Sequence, residues 1–117
     1  MSGFLTTHVL DTSSGRPAKG IRIDLFRIDR DTRMHLISMI TNTDGRTDER
    51  ILPPETFRTG AYELEFHVGD YLESNGHLSG RTRFLDVIPI RFIMSEHSHY
   101  HIPLLLSPFG YSTYRGS

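Results

Sequence analysis

The sequence predicts an all-β domain, on three observations. Apolar and polar residues alternate with period two through several segments, glycine and proline clusters punctuate the chain between them, and a single short stretch, residues 68–76, carries a helical pattern. Several short strands separated in this way mean a sandwich or a barrel. At 117 residues the chain fits one domain, residues 1–117, with no repeat or linker to divide it.

Residues 4–10 read as the first strand. Leu5, Thr7 and Val9 take one face, and Thr6, His8 and Leu10 take the other. The turn formers Asp11-Thr12-Ser13-Ser14-Gly15, followed by Pro17, end it. Ile21, Ile23 and Leu25 alternate with Arg22 and Asp24 in a second strand that runs on through residues 26–28. Residues 34–43 read as a third strand, and the polar turn Asp29-Arg30-Asp31 makes the two a hairpin. The clearest alternation is in residues 62–68, where Tyr62, Leu64, Phe66 and Val68 face one way and Glu63, Glu65 and His67 the other. The helical stretch follows, with Tyr71 and Leu72 as its candidates for burial. Residues 84–94 are β-rich but interrupted by Pro89, which cannot donate to a ladder and so belongs on an edge strand or at a bulge. Residues 97–106 form the next strand, ended by Ser107-Pro108, and residues 111–115 a last short one.

Composition excludes several function classes. A formal charge of -1, from 13 basic and 14 acidic residues, gives no electrostatic basis for nucleic acid or an anionic membrane as partner. No apolar run approaches the roughly 20 residues of a membrane span. Without cysteine there is no disulfide, thiolate nucleophile or sulfur-ligated metal. The N-terminus carries neither a basic n-region nor an apolar h-region, so the expectation is a soluble cytoplasmic protein.

Seven histidines are many for this length, and three of them lie in His97-Ser98-His99-Tyr100-His101. On a strand His97, His99 and His101 share one face, while Tyr100, Ile102, Leu104 and Leu106 take the face suited to a core. Any one of these histidines is accounted for by a solvated polar face. Alternate histidines on a strand are also a spacing that converges on zinc, with a further ligand from elsewhere. His8, taken locally, reads as a histidine bonded to backbone or to a neighbouring hydroxyl. Asn42-Thr43-Asp44-Gly45-Arg46 is a turn centred on Asp-Gly, and Arg46 by itself reads as a loop charge. Tyr114-Arg115-Gly116-Ser117 is a dense set of hydrogen-bonding groups for a chain end.

These segments carry a resemblance. Leu5-Thr6-Thr7-His8-Val9-Leu10-Asp11-Thr12 with Gly15-Arg16-Pro17-Ala18-Lys19-Gly20, then Thr41-Asn42-Thr43-Asp44-Gly45-Arg46, then His99-Tyr100-His101-Ile102-Pro103 through Ser107-Pro108 to Tyr111-Ser112-Thr113-Tyr114-Arg115-Gly116-Ser117 together resemble the transthyretin-like family, and within it the 5-hydroxyisourate hydrolases of purine catabolism. The terminal Tyr-Arg-Gly-Ser is the most specific element, since the hormone-carrying transthyretins lack it. The resemblance implies a prealbumin-like sandwich of two four-stranded sheets with one short helix. It also implies a homotetramer, a dimer of dimers, with active sites at the mouths of a central channel. The site residues it implies are His8, Arg46, His101 and Ser117 for catalysis, with His8, Arg46, Tyr114 and Arg115 holding the small-molecule substrate. No metal and no cofactor is implied. The face bearing His101 also carries Pro103 and Leu105, and such a mixed face suits an interface or channel wall better than open solvent.

The mechanism expected is attack of water on 5-hydroxyisourate, with His8 or His101 as base and Arg46 meeting the developing negative charge. Two rivals remain. One is a carrier with the same fold and no chemistry. The other is a zinc hydrolase built on His97, His99 and His101.

Overall fold

A computed structural model describes residues 3–116. Among them lie β1 (Phe4–Asp11), β2 (Arg16–Pro17), β3 (Arg22–Asp29), β4 (Thr32–Ile40), β5 (Gly60–His67), α1 (Gly69–Ser74), β6 (Val87–Met94), β7 (His99–Ser107) and β8 (Gly110–Thr113). They form two four-stranded sheets, ordered β2-β1-β7-β8 and β4-β3-β5-β6. The pairs are antiparallel except β1 with β7, the first and seventh strands, which run parallel. No helix among the described residues is long and apolar enough to cross a membrane.

The inner faces of the sheets meet in one core. Leu5, Val9, Ile102, Leu104 and Leu106 enter it from one sheet, and Ile23, Leu25, Tyr62, Leu64, Phe66 and Ile88 from the other. This is the two-sheet sandwich expected, filled by the alternate residues of each strand. Pro89 lies on β6, an edge strand, where its missing donor costs no ladder bond. Residues 29–31 turn β3 into β4, with Arg30 at φ 55.

Several boundaries differ from the sequence reading. The third strand starts at Thr32 and stops at Ile40, because Thr41 turns inward to bond Ala18 and Ile21. The strand read over residues 84–94 starts at Val87, because Arg83 is held at α1 by Asp70 and Glu73 and pairs with Asp86 as well. The last ends at Thr113. Glu63 points away from the core as expected, yet it is buried, because Arg33 and Arg91 close over it.

The outer face of the β3–β5 pair carries a polar network centred on Asp24. Its carboxylate accepts from the His67 Nε2–H (2.8 Å), from His35 and from Ser38, and pairs with Arg22. Burial pushes its pKa up, but these hydrogen bonds and the Arg22 charge outweigh burial and hold it at about 2. The folded value lies below the unfolded one of about 3.9. The contribution is therefore fully present above that value and is lost as pH falls towards 2. Asp24→Asn should lower the unfolding free energy by roughly 2 kcal/mol at pH 7. At pH 2 the difference from the unsubstituted chain should shrink towards zero. Urea unfolding at the two pH values reads both.

Candidate active site

Because β1 and β7 send Leu5, Val9, Tyr100, Ile102 and Leu104 inward, the alternate residues Thr6, His8, His99 and His101 stand on the outer face of their sheet. The parallel register sets Thr6 level with His101 and His8 level with Pro103. The His8 and His101 rings lie 6.4 Å apart with a 27° interplanar angle. The Thr6 hydroxyl sits 2.7 Å from Nδ1 of His101 and 2.7 Å from Nε2 of His99. His99 in turn stacks on Phe4 at 4.2 Å.

Arg46 arrives from the turn after β4. β2 covers only Leu10 and Asp11 of β1, which leaves the rest of that edge open. The open edge is taken by isolated bridges from His8 to Arg46 and from Leu5 to Leu52. The Val9 N–H donates to the Gly45 carbonyl (2.8 Å), and Asn42 Oδ1 accepts from the Asp44 and Arg46 amides. Gly45 has φ +72, and a Cβ there would strike the Val9 carbonyl oxygen. So the Asp-Gly turn docks on β1 only as glycine, and docking delivers Arg46 beside His8. Arg46 has no carboxylate partner among the described residues.

The C-terminal segment comes from the other side. Beyond β8 the chain continues along β7, and the Gly116 N–H donates to the His101 carbonyl (2.7 Å). A Cβ on Gly116 would meet His101 Cδ2 at 2.7 Å, so only glycine passes this close to the ring. Tyr114 is exposed and has no hydrogen-bond partner among the described residues. Arg115 is turned away. Its guanidinium lies 4.1 Å over the Tyr100 ring and donates to the Ser98 hydroxyl (3.3 Å), on the face of β7 opposite His101. Substrate contact by Arg115, implied by the resemblance, is not what this geometry brings together; Arg115 anchors the segment. Ser117 lies outside the described residues.

Electrostatics keep the histidines neutral. Burial lowers the His101 pKa first, and the charges of Arg46, His99 and His8 lower it further. His8 is lowered by burial and by Arg46, against a smaller opposing pull from Asp44. Burial and Arg50 lower His99. Neutral imidazoles beside a fixed cation can accept a proton while the cation meets developing negative charge.

Beside this group a recess of about 180 Å³ lies between Thr6 and Thr7 on β1 and residues 46–50. A larger cavity of about 500 Å³ lies on the other sheet, against β4 and residues 51–58. Its walls are mainly apolar, with Met34, Leu36 and Ile51 among them and no histidine or carboxylate, so the capacity for proton transfer is at the smaller recess.

His97 does not join the other two histidines of its motif. It precedes β7, in a bend, and its ring packs on Phe57 at 5.4 Å. The strand alternation assumed for the zinc arrangement therefore fails at its first member. The donors that do converge among the described residues, Asp24, Glu65 and His67, lie on the outer face of the other sheet, where Arg22 and Arg33 already pair the carboxylates. Thr6 is the residue missed as a site member. Its signal was available, since it shares the outer face with His8.

The geometry has counterparts. A model of the HIUase/Transthyretin family matches residues 5–116. A protein of Rhizobium meliloti (strain 1021) named 5-hydroxyisourate hydrolase 2 is 57% identical over 118 residues, covering 99% of this chain and 98% of that protein. A 5-hydroxyisourate hydrolase of Mesorhizobium japonicum is 56% identical over 115 residues, covering 98% and 93%. Among solved structures, (S)-allantoin synthase superposes with a TM-score of 0.90 at 42% identity, and this chain, 99% covered, spans 44% of that one. The Klebsiella pneumoniae 5-hydroxyisourate hydrolase superposes with a TM-score of 0.75 at 32% identity over 98% of this chain and 94% of its own. Sea bream transthyretin in complex with thyroxine gives 0.84 at 27% identity, over 96% and 93%. With one family model running from β1 to the residue that bridges His101, and relatives more than half identical along the same span, the chain belongs to the HIUase/Transthyretin family.

Proposed function

We propose that this protein hydrolyses 5-hydroxyisourate to 2-oxo-4-hydroxy-4-carboxy-5-ureidoimidazoline in purine catabolism. The observation that carries the reading is the meeting of His8, Arg46 and the Gly116 end of the chain at His101, in a chain more than half identical to relatives of that name. Water adds across a ring amide. Its oxygen bonds to the carbonyl carbon, the carbon–nitrogen bond breaks, and one proton goes to the released nitrogen while the acid ionises. His101 or His8 takes the proton from water, and the other orients the water or protonates the nitrogen. Arg46 offers planar donors to the oxygen-rich ring and to the tetrahedral oxyanion. Tyr114 closes the rim, and Ser117 is assigned to orienting a catalytic group. The chemistry needs no metal and no covalent nucleophile.

The active base is the neutral imidazole, so kcat/KM should fall as pH drops. Because burial and Arg46 lower both histidines, the limb should be centred below the ordinary value of about 6.5. A limb centred above that value in a pH–rate profile would contradict the electrostatic arrangement.

The assembly proposed is a homotetramer, a dimer of dimers whose channel is walled by the outer face of β1 and β7. Two features support it. β6 and β8 are unpaired edges carrying exposed Val87, Ile93 and Tyr111, and the site of one chain is an open recess. Sedimentation equilibrium should give four times the chain mass of 13.4 kDa; a monomer at micromolar concentration would remove the channel. The working compartment proposed is the cytoplasm. The carrier reading shares this fold, as the thyroxine-bound neighbour illustrates. It gives no use to two neutral histidines beside an arginine that has no carboxylate partner among the described residues.

A further inference from the structure

We infer that Thr6 is a positioning residue, whose hydroxyl holds His101 as the Nδ1–H tautomer and leaves its Nε2 lone pair free for water or substrate. The inference deepens the hydrolase reading and rests on it for the role of His101, though not for the tautomer itself. Thr6 lies level with His101 across the parallel pair and reaches two ring nitrogens at once, Nδ1 of His101 and Nε2 of His99, at 2.7 Å each. A hydroxyl has one proton and two acceptor sites, so it can donate to only one of these nitrogens. If it donates to His99, the His101 Nδ1 must carry a proton and donate back.

Charge selects this direction. Arg46, His8, His99 and Gly116 surround His101, with Arg50 beyond His99 and the carboxylates Asp48 and Glu49 along the recess. In the opposite direction, Thr6 donating to His101, the outward Nε2 would carry an N–H in the field of the Arg46 cation, two donors opposed. A lone pair there is the favoured partner of that charge. Free neutral imidazole in water prefers its proton on Nε2, so the Nδ1–H form requires a fixed acceptor at Nδ1. Thr6 supplies it with little rotational freedom, being β-branched on a central strand and bonded on both sides. His99 acts one step further out. Stacked on Phe4, with Arg50 3.8 Å over that ring, it presents Nε2 as the acceptor that fixes the Thr6 rotor.

The test uses the full chain with Thr6→Val, which keeps the shape and removes the hydroxyl, and Thr6→Ser, which restores it. Imidazole nitrogen chemical shifts of His101, recorded without substrate above its titration range, should report Nδ1–H in the unsubstituted protein and in Thr6→Ser. They should shift towards Nε2–H in Thr6→Val. In Thr6→Val kcat should fall by roughly tenfold or more, with KM changed far less, and Thr6→Ser should recover most of the loss. An Nε2–H tautomer in the unsubstituted protein overturns the inference even if Thr6→Val does not fold, and so does an unchanged tautomer in a folded Thr6→Val. If the unsubstituted protein shows Nδ1–H but does not turn over 5-hydroxyisourate, the hydrolase reading fails and the tautomer assignment stands.

Discussion

Replacing His101 with alanine should reduce turnover on the order of 10²-fold or more, with the sandwich intact. The ring stands on the outer face of β7, while its neighbours Tyr100 and Ile102 carry the core contacts of that segment. The backbone bonds that hold the strand, to β1 on one side and Gly116 on the other, do not involve the imidazole. A loss of activity without a loss of melting temperature is therefore the expected signature. Arg46→Ala should give a loss of similar size, since a fixed cation at a developing oxyanion is worth on the order of 10²-fold. Its backbone carbonyl would still close the turn with Asn42, so the turn should survive. Steady-state kinetics beside thermal unfolding separates the two effects. Near-normal turnover in both variants would remove these residues from the chemistry.

The second large effect is expected at the chain end. Deleting residues 115–117 removes the Gly116 bridge to His101 and the Arg115 anchor on Tyr100. His101 then loses the segment that confines its ring from the β8 side. Turnover should fall by at least tenfold, while the core, whose described members include neither Arg115 nor Gly116, keeps its unfolding midpoint. Gly116→Val should act in the same direction, because its side chain must occupy space held by the imidazole. Activity indifferent to both changes would mean that the terminus is no part of the site.

Much of this was legible in the sequence wherever one face of a strand is buried. The alternation in residues 62–68 matches β5 because Tyr62, Leu64 and Phe66 fill the core, and Pro89 signalled an edge by its missing donor. The faces of His8 and His101 followed from the same rule. The strand rule stopped at His97, where the chain is bent and Phe57 takes the ring. It could not show that the β3–β4 register shifts between Leu25 and Phe26, where Leu36 of β4 is left without a partner, an irregularity that helps set Asp24 beside His35 and Ser38. The placement of Arg115 over Tyr100 was not legible, because a motif does not say which way each of its side chains faces. The face of Thr6 beside His8 was legible, but only the register between β1 and β7 reveals that its hydroxyl lies between two imidazoles.

The most direct test of the central claim is to generate 5-hydroxyisourate in solution and follow the decay of its ultraviolet absorbance with and without the protein. Catalytic amounts should accelerate the decay, and the same amount of His101→Ala should leave it close to the spontaneous rate. A decay that the unsubstituted protein does not change would contradict the hydrolase reading.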